Sequence, residues 1–122
     1  MTMERQALGK MGEDAAVAEI ERRGYAVLER RYRTRHGEID IVAEDGDVVV
    51  FIEVKVRATA ERGTAAEAVT IQKQRKLVAM ATDYLSRRRL THRRCRVDVV
   101  AIDGVGEGSR ITLYRGAFDA SR

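Results

Sequence analysis

Two runs of alternating apolar and polar residues meet at Asp45-Gly46, and no other feature constrains the chain as strongly. Asp-Gly between such runs is a strong hairpin signal, because a tight reversal needs residues that accept positive φ. With Asp45 and Gly46 as the two loop residues, Glu44 stands opposite Asp47, Asp40 opposite Phe51 and Glu38 opposite Glu53. Alternation then sorts Ile39, Ile41, Val48, Val50, Ile52, Val54 and Val56 to one face and Glu38, Asp40, Phe51, Glu53 and Lys55 to the other. Glu53 is the diagonal neighbour of Asp40, at roughly 7 Å between Cβ atoms. Carboxylates at that separation can share a divalent cation, and Lys55 points to the same side.

Charged residues alternating with Val and Ile also mark the wet face of a half-exposed hairpin, where strand pairing alone explains a lone Glu-x-Lys. Two features weigh against that reading. Glu38 directly opposite Glu53 destabilises a sheet unless something cationic sits between them. Phe51 on the same face implies that the face is covered.

A chain of 122 residues is one domain, residues 1–122, with apolar content for a modest single core. It has no apolar run near the ~20 residues that span a bilayer, and residues 1–6 lack the apolar segment of a signal peptide. The single Cys95 excludes an internal disulfide, which fits a reducing cytoplasm. No His/Cys cluster has zinc spacing. The formal charge of +4 suits a polyanionic partner. Arginines cluster at Arg30, Arg31, Arg33 and Arg35, and again at Arg87, Arg88, Arg89, Arg93, Arg94 and Arg96. Their planar forks match phosphate oxygens, although surface charge also serves solubility alone.

Residues 3–23 read as a helix closed by Gly24, with Leu8, Met11, Ala15, Ala16, Val17 and Ile20 inward. Glu13 shares a side with Gly9, Ala16 and Ile20, so small neighbours let its carboxylate approach a strand. Residues 25–34 read as a strand with a basic second half, and residues 58–67 as a mobile loop beside the hairpin. Residues 68–89 read as a second helix with Ile71, Gln74, Leu77, Val78, Ala81, Tyr84 and Leu85 inward. Lys73, Arg75 and Lys76 oppose the dipole of that helix, which points to phosphate contact as their duty. Gln74 breaks the stripe and is expected to face the site. Residues 96–102 and 110–115 complete the strands, and Asp98 is expected to bond arginine or backbone at the sheet end. The order α-β-β-β-α-β-β gives a three-strand meander followed by a right-handed crossover to a parallel strand. The expected class is α/β, a mixed sheet flanked by helices.

Gly37-Glu38-Ile39-Asp40-Ile41-Val42 followed by Phe51-Ile52-Glu53-Val54-Lys55-Val56-Arg57 resembles the YraN-like family of small bacterial proteins. That family is similar to archaeal Holliday junction resolvases, within the PD-(D/E)xK nuclease superfamily. The resemblance spans nearly the whole chain, with Ile39 where the motif has Pro. It implies a restriction-endonuclease-like core and a metal-dependent endonuclease acting on DNA, branched or junction DNA included, with Mg²⁺ or Mn²⁺ as cofactor. It further implies that Asp40, Glu53 and the Val54 carbonyl hold the metal, with Glu13, Asp40, Glu53 and Lys55 catalytic. Arg31, Arg33, Arg57, Lys73, Gln74 and Lys76 are the expected substrate contacts, and resolvases act as homodimers. A non-catalytic nucleic-acid-binding protein that keeps the fold is the alternative.

Overall fold

The computed structural model describes residues 3–61 and 63–118, with side chains from residue 9 to 117 apart from residue 62. Helix α1 (Met3–Arg22) leads into the meander β1 (Ala26–Thr34), β2 (Gly37–Asp45) and β3 (Val48–Arg57). Helix α2 (Ile71–Arg87) crosses over to β4 (Cys95–Asp103), and β5 (Arg110–Phe118) closes the sheet. Spatial order follows chain order, β1-β2-β3-β4-β5, with β3/β4 parallel and every other pair antiparallel. This is the mixed sheet and α-β-β-β-α-β-β order of the restriction-endonuclease-like core. Among the described residues no helix is long and apolar enough to cross a membrane.

Each face of the sheet carries one helix. Ala16 and Ile20 of α1 pack on Ile41, Ala43, Val50, Ile52, Val100 and Ile102. Leu77, Met80, Ala81 and Tyr84 of α2 pack on Ile39, Val42, Val49, Phe51 and Val97. Phe51 is fully buried and meets Tyr84 edge to face, with centroids 5.7 Å apart, so the face carrying the charged residues is indeed covered. Ile71, expected inward, is 67% exposed at the first residue of α2, and Met80 fills the stripe instead. On α1 the buried face runs through Gly12, Glu13, Ala16, Glu19 and Ile20. Met11, also expected inward, is exposed, and Leu8 lies outside the described side chains.

The hairpin is real, but its register differs from the sequence expectation by two residues. The turn residues are Gly46-Asp47, so Asp45 faces Val48, Glu44 faces Val49 and Val42 faces Phe51. Gly46 alone takes the left-handed region, at φ +61°, as a turn with Gly in its first central position requires. Asp47 is gripped from outside: its carbonyl accepts from Arg93 and its carboxylate from Arg94. A shift of two preserves the side-chain faces, because the strand period is also two. Glu38 therefore does not oppose Glu53. It lies across β1 from Arg33 and pairs with it at 3.2 Å.

Alternation fails at one point. Ile39 packs with Val42 on the α2 face, whereas Ile41 packs on the α1 face. Between them the β2/β3 ladder ends at Ile41↔Ile52. Asp40 then uses its side chain where a backbone carbonyl would otherwise serve, accepting the Val54 N–H at 2.7 Å.

Asp98 is wholly buried and bonded as expected, accepting from Tyr25 Oη (2.6 Å), Arg96 Nε (2.9 Å) and the Gly116 N–H (2.9 Å). Arg96 also reaches Asp45 at 2.7 Å, which ties the hairpin turn to β4. The segment expected to be a mobile loop is anchored in its second part. Thr64 and Glu67 bond reciprocally, and buried Ala65 donates its N–H to Asp103.

Candidate active site

The end of the sheet beyond the last β2/β3 rung opens into a cleft of about 960 Å³. Its walls come from α1 (Gly9, Lys10, Glu13), β1 (Arg31, Arg33), β2 (Glu38, Asp40), β3 (Val54 to Arg57) and α2 (Lys73). Strands that separate there leave room between the two helix-covered faces, which is why groups from both helices meet.

Asp40 is the centre of this arrangement. Burial and contact with the Glu53 carboxylate push its pKa up to about 8, against the opposing hydrogen bond from Val54. Two carboxylates this close cannot both ionise without help, so one holds a proton or a cation intervenes. Glu53 is 14% exposed in its side chain and stands behind the cleft wall, with Lys55 Nζ at 3.9 Å. Lys55 lines the cleft itself.

Glu13 reaches the same cleft from the other face of the sheet and adds to the negative field on Asp40. Both of its oxygens accept from arginine, Arg30 Nε at 2.8 Å and Arg31 Nε at 3.0 Å. Consecutive strand residues ordinarily point to opposite faces. Arg31 escapes this by taking φ +54°, a conformation that is costly for a residue with a Cβ and that clusters at functional sites. The Glu13 carboxylate is thus clamped on both oxygens.

The other expected substrate contacts divide. Arg31, Arg33, Arg57 and Lys73 line the cleft. Lys76 is exposed and does not line it. Gln74 turns to a separate hollow with Val69, Val99 and Tyr114, and its Nε2 donates to the Val69 carbonyl at 3.4 Å. Lys10 and Arg30 were not among the expected site residues. Lys10 sits one turn before Glu13, so helical spacing alone places it on the same wall. Arg30 belongs to a visible arginine cluster, but no sequence pattern marks it as the clamp on Glu13.

Among the described residues no three His, Cys, Asp or Glu side chains form a ready metal cage. Asp40 and Glu53 supply a two-carboxylate edge of hard oxygen donors. That set fits Mg²⁺ or Mn²⁺, since Mg²⁺ usually takes one or two carboxylates and completes its shell with water and substrate phosphate. It does not fit a structural zinc site.

The model of "Uncharacterised protein family UPF0102" matches residues 12–102, a span holding every residue of the Asp40 centre. A UPF0102 protein of Desulforapulum autotrophicum is 45% identical over 118 residues, covering 97% of this chain and 98% of its own. One from Moorella thermoacetica is 44% identical over 120 residues, covering 97% and 100%. One from Myxococcus xanthus is 42% identical over 117 residues, covering 96% and 93%. With the family model matched over most of the chain and relatives aligned nearly end to end, the chain belongs to the UPF0102, or YraN, family.

Proposed function

We propose that this protein is a metal-dependent endonuclease that hydrolyses DNA phosphodiester bonds, with branched or junction DNA as its substrate class. The observation that carries the reading is the buried Asp40 carboxyl, its pKa raised to about 8 by burial and the neighbouring Glu53, in a cleft lined by Lys10, Arg31, Arg33, Lys55, Arg57 and Lys73, with Lys55 3.9 Å from Glu53. Deprotonated, Asp40 and Glu53 would hold Mg²⁺ or Mn²⁺, with the Val54 carbonyl as a further oxygen donor. When bound, the ion supplies positive charge to the phosphate and lowers the pKa of a water. Lys55 orients the attacking water and stabilises charge that develops on the phosphoryl oxygens. Water oxygen joins phosphorus, one ester P–O bond breaks and a proton passes to the departing oxygen, leaving a phosphate monoester and a hydroxyl end. Glu13, held by its two arginines, offers its remaining lone pairs to water. Arg33, Arg57 and Lys10 hold the sugar-phosphate backbone. A junction is cut symmetrically, so the acting unit is a homodimer, and the unpaired edge of β5 is available for its formation. The setting is the cytoplasm.

A panel of labelled branched, duplex and single-stranded DNAs with Mg²⁺ or Mn²⁺ tests the reading. Asp40→Ala, Glu53→Ala and Lys55→Ala each lose at least about 10²-fold in cleavage with unchanged circular dichroism. Wild-type rates in any of the three would remove that residue from the mechanism. The clamped state of Glu13 favours one second reading, a nucleic-acid-binding module without catalysis. Calorimetric Mg²⁺ binding that disappears in Asp40→Asn supports the nuclease, and no binding supports the module.

A further inference from the structure

Lys55 and Lys73 come from different elements, β3 and the first turn of α2, yet both line the same cleft and stand near enough for each positive charge to oppose the other. Compensation of the two charges is unequal. Lys55 has Glu53 at 3.9 Å. Lys73 has no ion-pair partner among the described residues, and Arg57 adds a third positive charge nearby. The first turn of α2 carries no acidic residue, and Thr70 caps it by accepting the Lys73 N–H. The positive end of the helix therefore adds to the lysines. Like charges brought together from two rigid elements are stable only where an anion completes the set. The nearby Lys55 charge, followed by burial, holds the Lys73 pKa below the usual lysine range.

We propose that Lys55 and Lys73 form one seat for the scissile phosphate group of the substrate, so that Lys73 touches the reacting phosphate and not a neighbouring one. This deepens the nuclease reading and rests on it. The placement follows from the lining of the cleft, since Lys55 stands 3.9 Å from Glu53 and shares the cleft wall with both Lys73 and Asp40. An anion bridging the two amines is therefore adjacent to the carboxylate pair. Lysine suits this role as a compact point charge with three donors, able to follow a phosphate whose charge is redistributing. Gln74, the next residue, turns to the other side of the helix and takes no part.

Two measurements decide the assignment. The first uses thymidylyl-thymidine, which carries a single phosphodiester, and its neutral methylphosphonate analogue. Each is titrated by NMR into the whole protein in EDTA. Lys55→Met and Lys73→Met each weaken the diester about tenfold, the loss of one charge-assisted hydrogen bond. The double variant is weaker by less than the product of the two, because both act on one group, and the methylphosphonate does not respond to either. The second is steady-state cleavage with Mg²⁺. Lys73→Met lowers kcat by about 10²-fold and leaves KM near wild type, and Lys73→Arg recovers part of the loss. Diester binding that ignores Lys73→Met, or a raised KM with kcat preserved, overturns the shared seat and leaves Lys73 on a flanking phosphate. If the wild-type protein cleaves no substrate, the nuclease reading falls. The binding arm still decides the seat, since non-additive loss retains it as a phosphodiester site and additive or absent loss removes it.

Discussion

Asp40 accepts a backbone N–H, which favours its charged form, while sitting against a second carboxylate, which opposes that form. Burial and Glu53 win, and the folded-state pKa rises to about 8 from an ordinary carboxylate value of 3.8. For a carboxyl raised in this way, the folded protein binds more protons than the unfolded chain between those two values. Stability of the metal-free protein is therefore greatest below about pH 4, as far as this group is concerned, and falls as pH climbs to about 8. Asp40→Asn keeps an oxygen for the Val54 N–H and removes the titration. In EDTA at pH 8.5 this variant is more stable than wild type by about 1–3 kcal/mol, the order of cost for an uncompensated buried polar group. Urea denaturation at pH 5.5 and pH 8.5 measures it. Mg²⁺ should restore the wild type at pH 8.5 and leave Asp40→Asn unchanged, because only the native carboxylate pair binds the ion. A wild-type protein equally stable at both pH values in EDTA would mean that Asp40 and Glu53 do not share a site.

The elements show what pattern can and cannot reveal. Hairpin, crossover and helices follow from alternation, Asp-Gly chemistry and helical periodicity, and these are local properties. The turn lies one position later than the pattern places it, Gly46-Asp47 in place of Asp45-Gly46, because both pairs carry turn chemistry. The faces survived, since the resulting shift is even. Ile39 did not follow the alternation, because the break at Asp40 depends on a side chain replacing a rung of the ladder. The depth of α1 was equally hidden. Gly12 reads as a weak point in a helix, yet a Cβ there would collide with Val56 Cγ2, so the glycine sets how near α1 lies to β3. Gly9, one turn earlier, meets nothing within 4 Å. Thermal and urea unfolding of the two alanine variants separates propensity from packing. Gly9→Ala is neutral or gains up to about 1 kcal/mol from helix propensity. Gly12→Ala loses about 1–3 kcal/mol net, because the half-buried, β-branched Val56 packed against the core yields little. The displaced helix also carries Glu13 with it, so cleavage falls in Gly12→Ala and is retained in Gly9→Ala.

Across the whole molecule, 23 basic and 19 acidic residues leave only a small excess of positive charge, and its location matters more than its sum. The second arginine cluster looks in sequence like a phosphate-binding surface. Folding pairs most of it internally: Arg87 with Asp83, Arg88 with Glu29, Arg93 with Glu44, Arg94 with Asp47, and Arg96 with Asp45 and Asp98. Most of those partners are far away in sequence, so no reading of the chain alone could cancel the charges. Lys10, Lys55, Arg57 and Lys73 line the cleft without such neutralisation among the described residues, apart from Lys55 and its longer contact with Glu53. Nucleic acid should therefore bind through the cleft and not across the α2–β4 corner. Binding of a labelled single strand to the metal-free protein, followed against salt, tests this directly. Each backbone contact contributes about 0.7 to the slope of log K on log salt. Lys10→Ala and Arg57→Ala each reduce the slope by about that amount. Arg88→Ala and Arg94→Ala leave it unchanged and cost at most about 1 kcal/mol of stability, as exposed ion pairs do. The reverse result would move the nucleic acid to the α2–β4 corner and separate it from the carboxylates, and the cleft could then no longer be where a strand is cut.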